Sequence, residues 1–223
     1  MNLLTMEHIG KSFTDRVLLG DISLGINEGE RIGVIGINGT GKSTLLKIIA
    51  GLEETDSGTL TKTRGLRIAY LPQTPIFDEG KTILANVTAG LIAEEEYRNI
   101  TGEAKSMLAK LGIPDSDRMA GSLSGGQKQR AALVHTLLLP ADLLVLDEPT
   151  NHLDASMTEW LEDYLNSFSG AFIMVTHDRY FLDRVTNRIV ELDKGKLYSY
   201  AANYSRFLEL KAEREEMAAA TER

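Results

Sequence analysis

The segment Gly36-Ile37-Asn38-Gly39-Thr40-Gly41-Lys42-Ser43 sets glycines, a lysine and a hydroxyl at the spacing of a phosphate-binding loop. Glycines let backbone N–H groups converge on phosphate oxygens, and a helix opening after the loop adds positive potential. Lys42 is then placed to reach the outer phosphates, and the Ser43 hydroxyl to bind magnesium. Gly36, Asn38, Gly39, Thr40, Gly41, Lys42, Ser43 and Thr44 are therefore the expected contacts of a nucleoside triphosphate. Further along, the apolar run Leu143-Leu144-Val145-Leu146 ends in Asp147-Glu148. Strand alternation predicts that the two carboxylates point in different directions, which suits two roles. Asp147 is expected in the magnesium shell, and Glu148 is expected to take a proton from the attacking water. An acidic pair after a strand equally suits a turn or a helix start. The phosphate loop in the same chain favours hydrolysis.

These residues need a scaffold, and the hydrophobic pattern supplies one. LLTMEHI, VLLGDISLGI and RIGVIGI read as strands, the third running straight into the glycine-rich turn. A helix over Ser43–Ala50 is expected to end at Gly51, followed by the short strands TLTKT and RIAYL. From about Ile76 to Ser122 the pattern turns helical, with breaks at Gly102, Gly112-Ile113-Pro114 and Gly121, which reads as an inserted helical lobe. A helix over Gly126–Leu139, the strand DLLVLDEP, a helix from about Ala155 and the strand AFIMVTHD follow. RIVELDKGKLYSY reads as a hairpin turning at Asp193-Lys194-Gly195. Strands alternating with helices predict an α/β fold with a buried, largely parallel sheet. Acidic residues at the carboxyl end of a buried strand then share the sheet edge with the phosphate loop.

Leu123-Ser124-Gly125-Gly126-Gln127 opens a helix, where a serine and free N–H groups make either a cap or a second anion site. Taken together with Gln73, Asp147, Glu148, Asp154 and His177 in this order, the sequence resembles the ATP-binding cassette family of ATPases over nearly its whole length. The resemblance implies a P-loop cassette of mixed, mostly parallel sheet with N-terminal antiparallel strands and an inserted helical lobe. It also implies ATP and Mg2+ as ligands, and a site shared between two cassettes, the Ser124 and Gly126 turn of one closing on the γ-phosphate held by another. By the same resemblance Gln73 senses magnesium and the attacking water, His177 holds the γ-phosphate, Asp154 lies in the loop that crosses to the partner, and Phe13 stacks on adenine. Taken singly, Gln73 suits any turn, His177 suits a cap or packing, and Phe13 suits a core.

Glu148-Pro149-Thr150-Asn151-His152-Leu153-Asp154, Thr176–Asp183 and Asn203–Glu209 narrow the likeness to the F subfamily. Its members carry two cassettes on one chain joined by a long helical linker, and the characterised ones act on the ribosome. Ala201-Ala202 stands where that subfamily usually has proline-glycine. Residues 1–200 are expected to form the cassette, with the lobe at about 76–122, and 201–223 to begin a charged interdomain linker. The expected partners are a second cassette, in the same full-length chain or another copy, and the ribosome. The alternative is an ATP-binding subunit of a transporter, docking its lobe on a membrane partner.

Composition sets the outer limits. The 223 residues suffice for one sizeable domain, and 43% hydrophobic with 25% charged residues suits a packed core. The absence of cysteine removes disulfides and thiolate chemistry and fits a reducing cytoplasm. No run of 18 apolar residues occurs and the first residues lack a signal pattern, so neither membrane insertion nor export is expected. A net charge of -8 disfavours non-specific nucleic-acid binding, and sequence-specific DNA binding is not expected.

Overall fold

The computed structural model describes residues 1–91 and 97–221. Two sheets divide the strands. β1 (Asn2–Phe13) and β2 (Arg16–Asn27) form a hairpin, and β4 (Ser57–Lys62) pairs with the free side of β1 to complete an antiparallel sheet. The second sheet has the order β5-β6-β7-β3-β8-β9. In it β3 (Arg31–Ile35), β5 (Ile68–Leu71), β6 (Leu143–Asp147), β7 (Ala171–Val175) and β8 (Arg188–Asp193) pair in parallel. Only β9 (Lys196–Tyr200) runs antiparallel, after a turn in which Lys194 and Gly195 both have positive φ.

Every residue of β6 and β7 is buried, as a sheet covered on both faces requires. Their alternation feeds two cores. Leu144, Leu146, Phe172 and Met174 pack towards the helical lobe, while Leu143, Val145, Ile173 and Val175 pack with α1 (Lys42–Ala50) and the antiparallel sheet. Parallel pairing puts the carboxyl ends of β3, β5, β6 and β7 on one edge, and the loops leaving that edge carry the phosphate loop, Gln73, Glu148 and His177.

The lobe contains α2 (Ile83–Val87), α3 (Tyr97–Lys110) and a 3-10 turn over Ala120–Ser122. Helix therefore starts seven residues later than the pattern from Ile76 predicts, and residues 92–96 of the predicted lobe lie outside the described residues. The break expected at Gly102 does not occur. α3 runs through it, because Ala104, Met107 and Leu108 anchor the helix in the core, and a glycine there costs only about 1 kcal/mol. α4 (Gly125–Leu138) starts at a capping box made by Ser124 and Gln127, and α5 (Ala155–Ser167) starts at Asp154. A short α6 (Arg179–Val185), capped by Asp178, was not legible in the sequence pattern.

The last helix, α7 (Tyr204–Thr221), is held at its start by an aromatic contact. Phe207 is buried edge-on to Tyr200, with ring centroids 5.0 Å apart, but Leu208 is exposed. The larger hold is ionic. Buried Glu191 of β8 accepts from Lys211 at 2.6 Å and from Arg214 at 3.2 Å, and the Arg214 guanidinium lies 3.9 Å from the Tyr198 ring centre. Residues 222–223 of the predicted linker segment lie outside the described residues. No helix among the described residues is long and apolar enough to cross a membrane.

Candidate active site

The cleft at the carboxyl edge of the sheet has a volume of about 430 Å³. It brings together Asn38, Gly39, Gly41, Lys42, Ser43 and Thr44 from the phosphate loop with Gln73, Asp147, Glu148 and His177. Gly36 lies just outside, lining the neighbouring cleft under α7, and a Cβ there would meet the Leu192 carbonyl at 2.6 Å. Only glycine fits so close to β8. Thr40 is buried and donates to the Ile37 carbonyl at 2.8 Å, so its side chain shapes the loop rather than facing the cleft.

Lys42 folds back to donate to the Gly36 carbonyl. Burial lowers its pKa, and the carboxylates of Glu148 and Asp147 partly restore it. Asp147 ends β6 with both carboxylate oxygens buried and without a hydrogen-bond partner among the described residues. Burial raises its pKa, against a smaller lowering by the nearby Ser43 hydroxyl, Lys47 and Lys42. An orphaned buried carboxylate beside a serine hydroxyl is the donor set a hard dication takes, so these residues fit magnesium.

Glu148 follows in the left-handed region, φ 53°, with its N–H donating to the Val175 carbonyl at 2.8 Å. Extended backbone therefore stops at Asp147, and both acidic residues line one cleft. The Glu148 carboxylate is engaged twice by His177, at 3.0 Å from the ring Nε2 and at 3.3 Å by the backbone N–H. Burial pushes the Glu148 pKa up, and the charge and N–H of His177 pull it back. A raised carboxylate is a better proton acceptor near neutral pH. Thr176 holds the His177 loop by sharing a 2.8 Å hydrogen bond with Thr150 and accepting from the Asp178 N–H, a tie that single-residue reading missed. Gln73 lines the cleft, and its carbonyl accepts from the Gln129 side-chain amide at 2.6 Å.

Phe13, Ser124, Gly126 and Asp154 do not line the cleft. Phe13 is 45% exposed at the end of the β1–β2 hairpin, which removes the core reading. Lys11, tied to Glu53 at 2.7 Å, lies 5.0 Å from its ring centre. Ser124, Gly126 and Asp154 gather at a second place. A Cβ on Gly126 would stand 3.3 Å from the His152 ring, and Arg130 donates to the His152 carbonyl at 3.0 Å, so the start of α4 abuts the loop that Asp154 ends. Asp154 accepts from the Met157 N–H at 2.8 Å and Ser124 from the Gln127 N–H at 3.2 Å, so both cap helices.

A family model described as ABC transporter matches residues 19–151, more than half of the chain. The chain belongs to the ATP-binding cassette family. A second model of the same description, for an extension segment, matches residues 190–223. An uncharacterized ABC transporter ATP-binding protein of Bacillus subtilis is 44% identical over 98% of this chain and 40% of its own length. The energy-dependent translational throttle proteins of Mycobacterium tuberculosis and Escherichia coli K12 are 39% and 36% identical over 94% of this chain, and 44% and 45% of their own lengths. The throttle proteins support the F-subfamily resemblance, and the chain spans less than half the length of each of these relatives. Among solved structures, an ATP-binding subunit of an ABC transporter superposes with a TM-score of 0.78 at 26% identity, covering 89% of this chain and 90% of that one. A dimeric cassette in a post-hydrolysis state with ADP and phosphate gives 0.77 at 26% identity, covering 89% and 98%.

Proposed function

We propose that this cassette binds magnesium-ATP in the cleft at the carboxyl edge of its sheet and hydrolyses it to ADP and phosphate. One observation carries the reading: the glycine-loop cradle, the orphaned Asp147 carboxylate and the Glu148–His177 pair share one cleft. The loop N–H groups and Lys42 bind the phosphates, while Ser43, Asp147 and Gln73 hold magnesium directly or through water. Magnesium, when bound, neutralises charge on the phosphate oxygens. Glu148 takes a proton from the attacking water as the water oxygen bonds to the γ-phosphorus and the bond to the leaving β-phosphate oxygen breaks. His177 turns from Glu148 to the γ-phosphate, which frees the carboxylate for water. Phe13 stacks on the adenine.

The site is completed by a second cassette, whose Ser124, Gly126 and Asp154 surface closes on the γ-phosphate. Their separation from the cleft in a single chain supports this, as does the dimeric neighbour. Phosphate release tests the catalytic roles. Lys42→Ala is expected to lose nucleotide binding, and Glu148→Gln to keep binding while turnover falls by about 10²–10⁴. Unchanged turnover in Glu148→Gln at saturating ATP removes Glu148 from the role of base.

The wider role we propose is that of one cassette in a two-cassette, ribosome-associated factor working in the cytoplasm, with 201–223 entering the interdomain linker. The relatives named as translational throttle proteins support it. With a net charge of -8, contacts to ribosomal RNA come from a local basic patch or from basic sequence outside the cassette, such as the linker. Sedimentation of the full-length Glu148→Gln protein with ribosomes should need ATP and weaken with salt. Pelleting with membranes instead supports the transporter reading.

A further inference from the structure

A second cation stands beside the phosphate loop, and none of the roles above uses it. β1 and β2 end in the register pair Phe13 with Arg16, joined by a turn in which Thr14 takes φ 53°. Directly paired residues of antiparallel strands share a face of the ribbon, so the ring of Phe13 and the guanidinium of Arg16 project from the same side of the hairpin end. An ideal Cβ on Gly39 would stand 3.6 Å from Nη1 and 3.8 Å from Nη2 of Arg16. The guanidinium therefore lies against the backbone of the phosphate loop, at a glycine that lines the cleft.

The two basic residues of this hairpin are treated differently. Lys11 is consumed by Glu53 at 2.7 Å and by the Glu54 carbonyl at 2.7 Å. Arg16 is exposed and enters no ion pair or side-chain hydrogen bond among the described residues. The cleft it borders holds two carboxylates, Asp147 and Glu148, against the single fixed charge of Lys42. The loop N–H groups and a magnesium ion arriving with the nucleotide would offset part of that negative charge, and Arg16 adds a cation from the hairpin side, which Lys42 does not occupy. A guanidinium is suited to this task, because its planar fork donates two parallel hydrogen bonds to phosphate oxygens and stays charged at any working pH.

We propose that Arg16 is a nucleotide ligand that donates from the hairpin side to the phosphate chain, so that one turn carries both a base contact at Phe13 and a phosphate contact at Arg16. The proposal rests on the ATP-binding reading of the cleft. Its bland competitor is a solvated arginine that lies over the loop by proximity alone.

Calorimetric titration of the 223-residue chain with Mg-ADP and Mg-ATP, and competition by adenosine, separates these cases. Charge-assisted hydrogen bonds predict that Arg16→Ala weakens both nucleotides by about tenfold or more. Adenosine, which has no phosphate, should bind the variant as it binds the native chain, and Arg16→Lys should recover part of the loss. Native affinity for ADP and ATP in Arg16→Ala, with binding lost in Lys42→Ala, overturns the Arg16 assignment and leaves the cleft assignment standing. Equal weakening of adenosine moves Arg16 to the base and overturns the phosphate contact. Full ATP affinity in Lys42→Ala overturns the cleft reading itself. Arg16 is exposed at a hairpin end, so an unchanged melting temperature is expected and verifies that the variant is folded.

Discussion

At the scale of single residues, the proposed magnesium role of Asp147 opposes the stability of the ligand-free fold. Its two carboxylate oxygens are buried without partners, and burial raises its pKa, so the folded chain binds this proton more tightly than the unfolded one. A raised carboxylate pKa means that stability is lost as pH rises above the unfolded value, and at neutral pH the ionised group is a cost. Asp147→Asn should therefore stabilise the ligand-free chain, by on the order of 1 kcal/mol, while abolishing the extra melting shift that magnesium adds to ATP. Thermal melts with ATP, with and without magnesium, measure both effects. A destabilised ligand-free variant with an intact magnesium shift would show that Asp147 is structural. The phosphate loop and the acidic pair were legible because their chemistry demands contiguous residue types at fixed spacing. The left-handed backbone of Glu148 was not, since alternation gives no warning that the residue after a strand will leave the extended region. Arg16 went unread for a related reason: its place beside Gly39 depends on hairpin register, and only the neighbouring Phe13 hinted at it.

Among the elements, α7 shows how an exposed, charged helix is fixed to a cassette. The charged character of residues 201–223 was readable, but the clamp on Glu191 was not, because it joins residues 20 and 23 positions apart through a buried strand carboxylate. The clamp is asymmetric. Glu191 is buried, whereas Lys211 and Arg214 are about one-third exposed. Replacing both bases with alanine strands a buried charge and should cost about 3 kcal/mol, but Glu191→Ala leaves two cations that water can reach and should cost less, roughly 1–2 kcal/mol. Urea titrations of the two variants check this ordering, and hydrogen exchange should show α7 opening in both. Equal losses would mean that the clamp contributes through packing on Tyr198 and Tyr200 rather than through charge. Gly102 makes the complementary point: a glycine reads as a breaker in sequence, but three buried neighbours on α3 outweigh its preference.

For the whole molecule, the parallel register decides everything else. It collects the phosphate loop, Gln73, Asp147, Glu148 and His177 on one edge, and it leaves Ser124, Gly126 and Asp154 on a different surface. Strand and helix order made this edge predictable, because open α/β sheets bind ligands at the carboxyl ends of their strands. The distance between the two functional surfaces was implied only by family likeness. If each cassette holds half of a shared site, ATP is the ligand that joins two copies, and hydrolysis is what separates them. Removing the base while keeping the binding groups should trap the joined state. The decisive measurement is the mass of the Glu148→Gln chain by sedimentation with magnesium-ATP, with ADP and without nucleotide. The account predicts a dimer with ATP alone and a monomer in the other two conditions, and a chain that binds ATP yet stays monomeric at every concentration would contradict it.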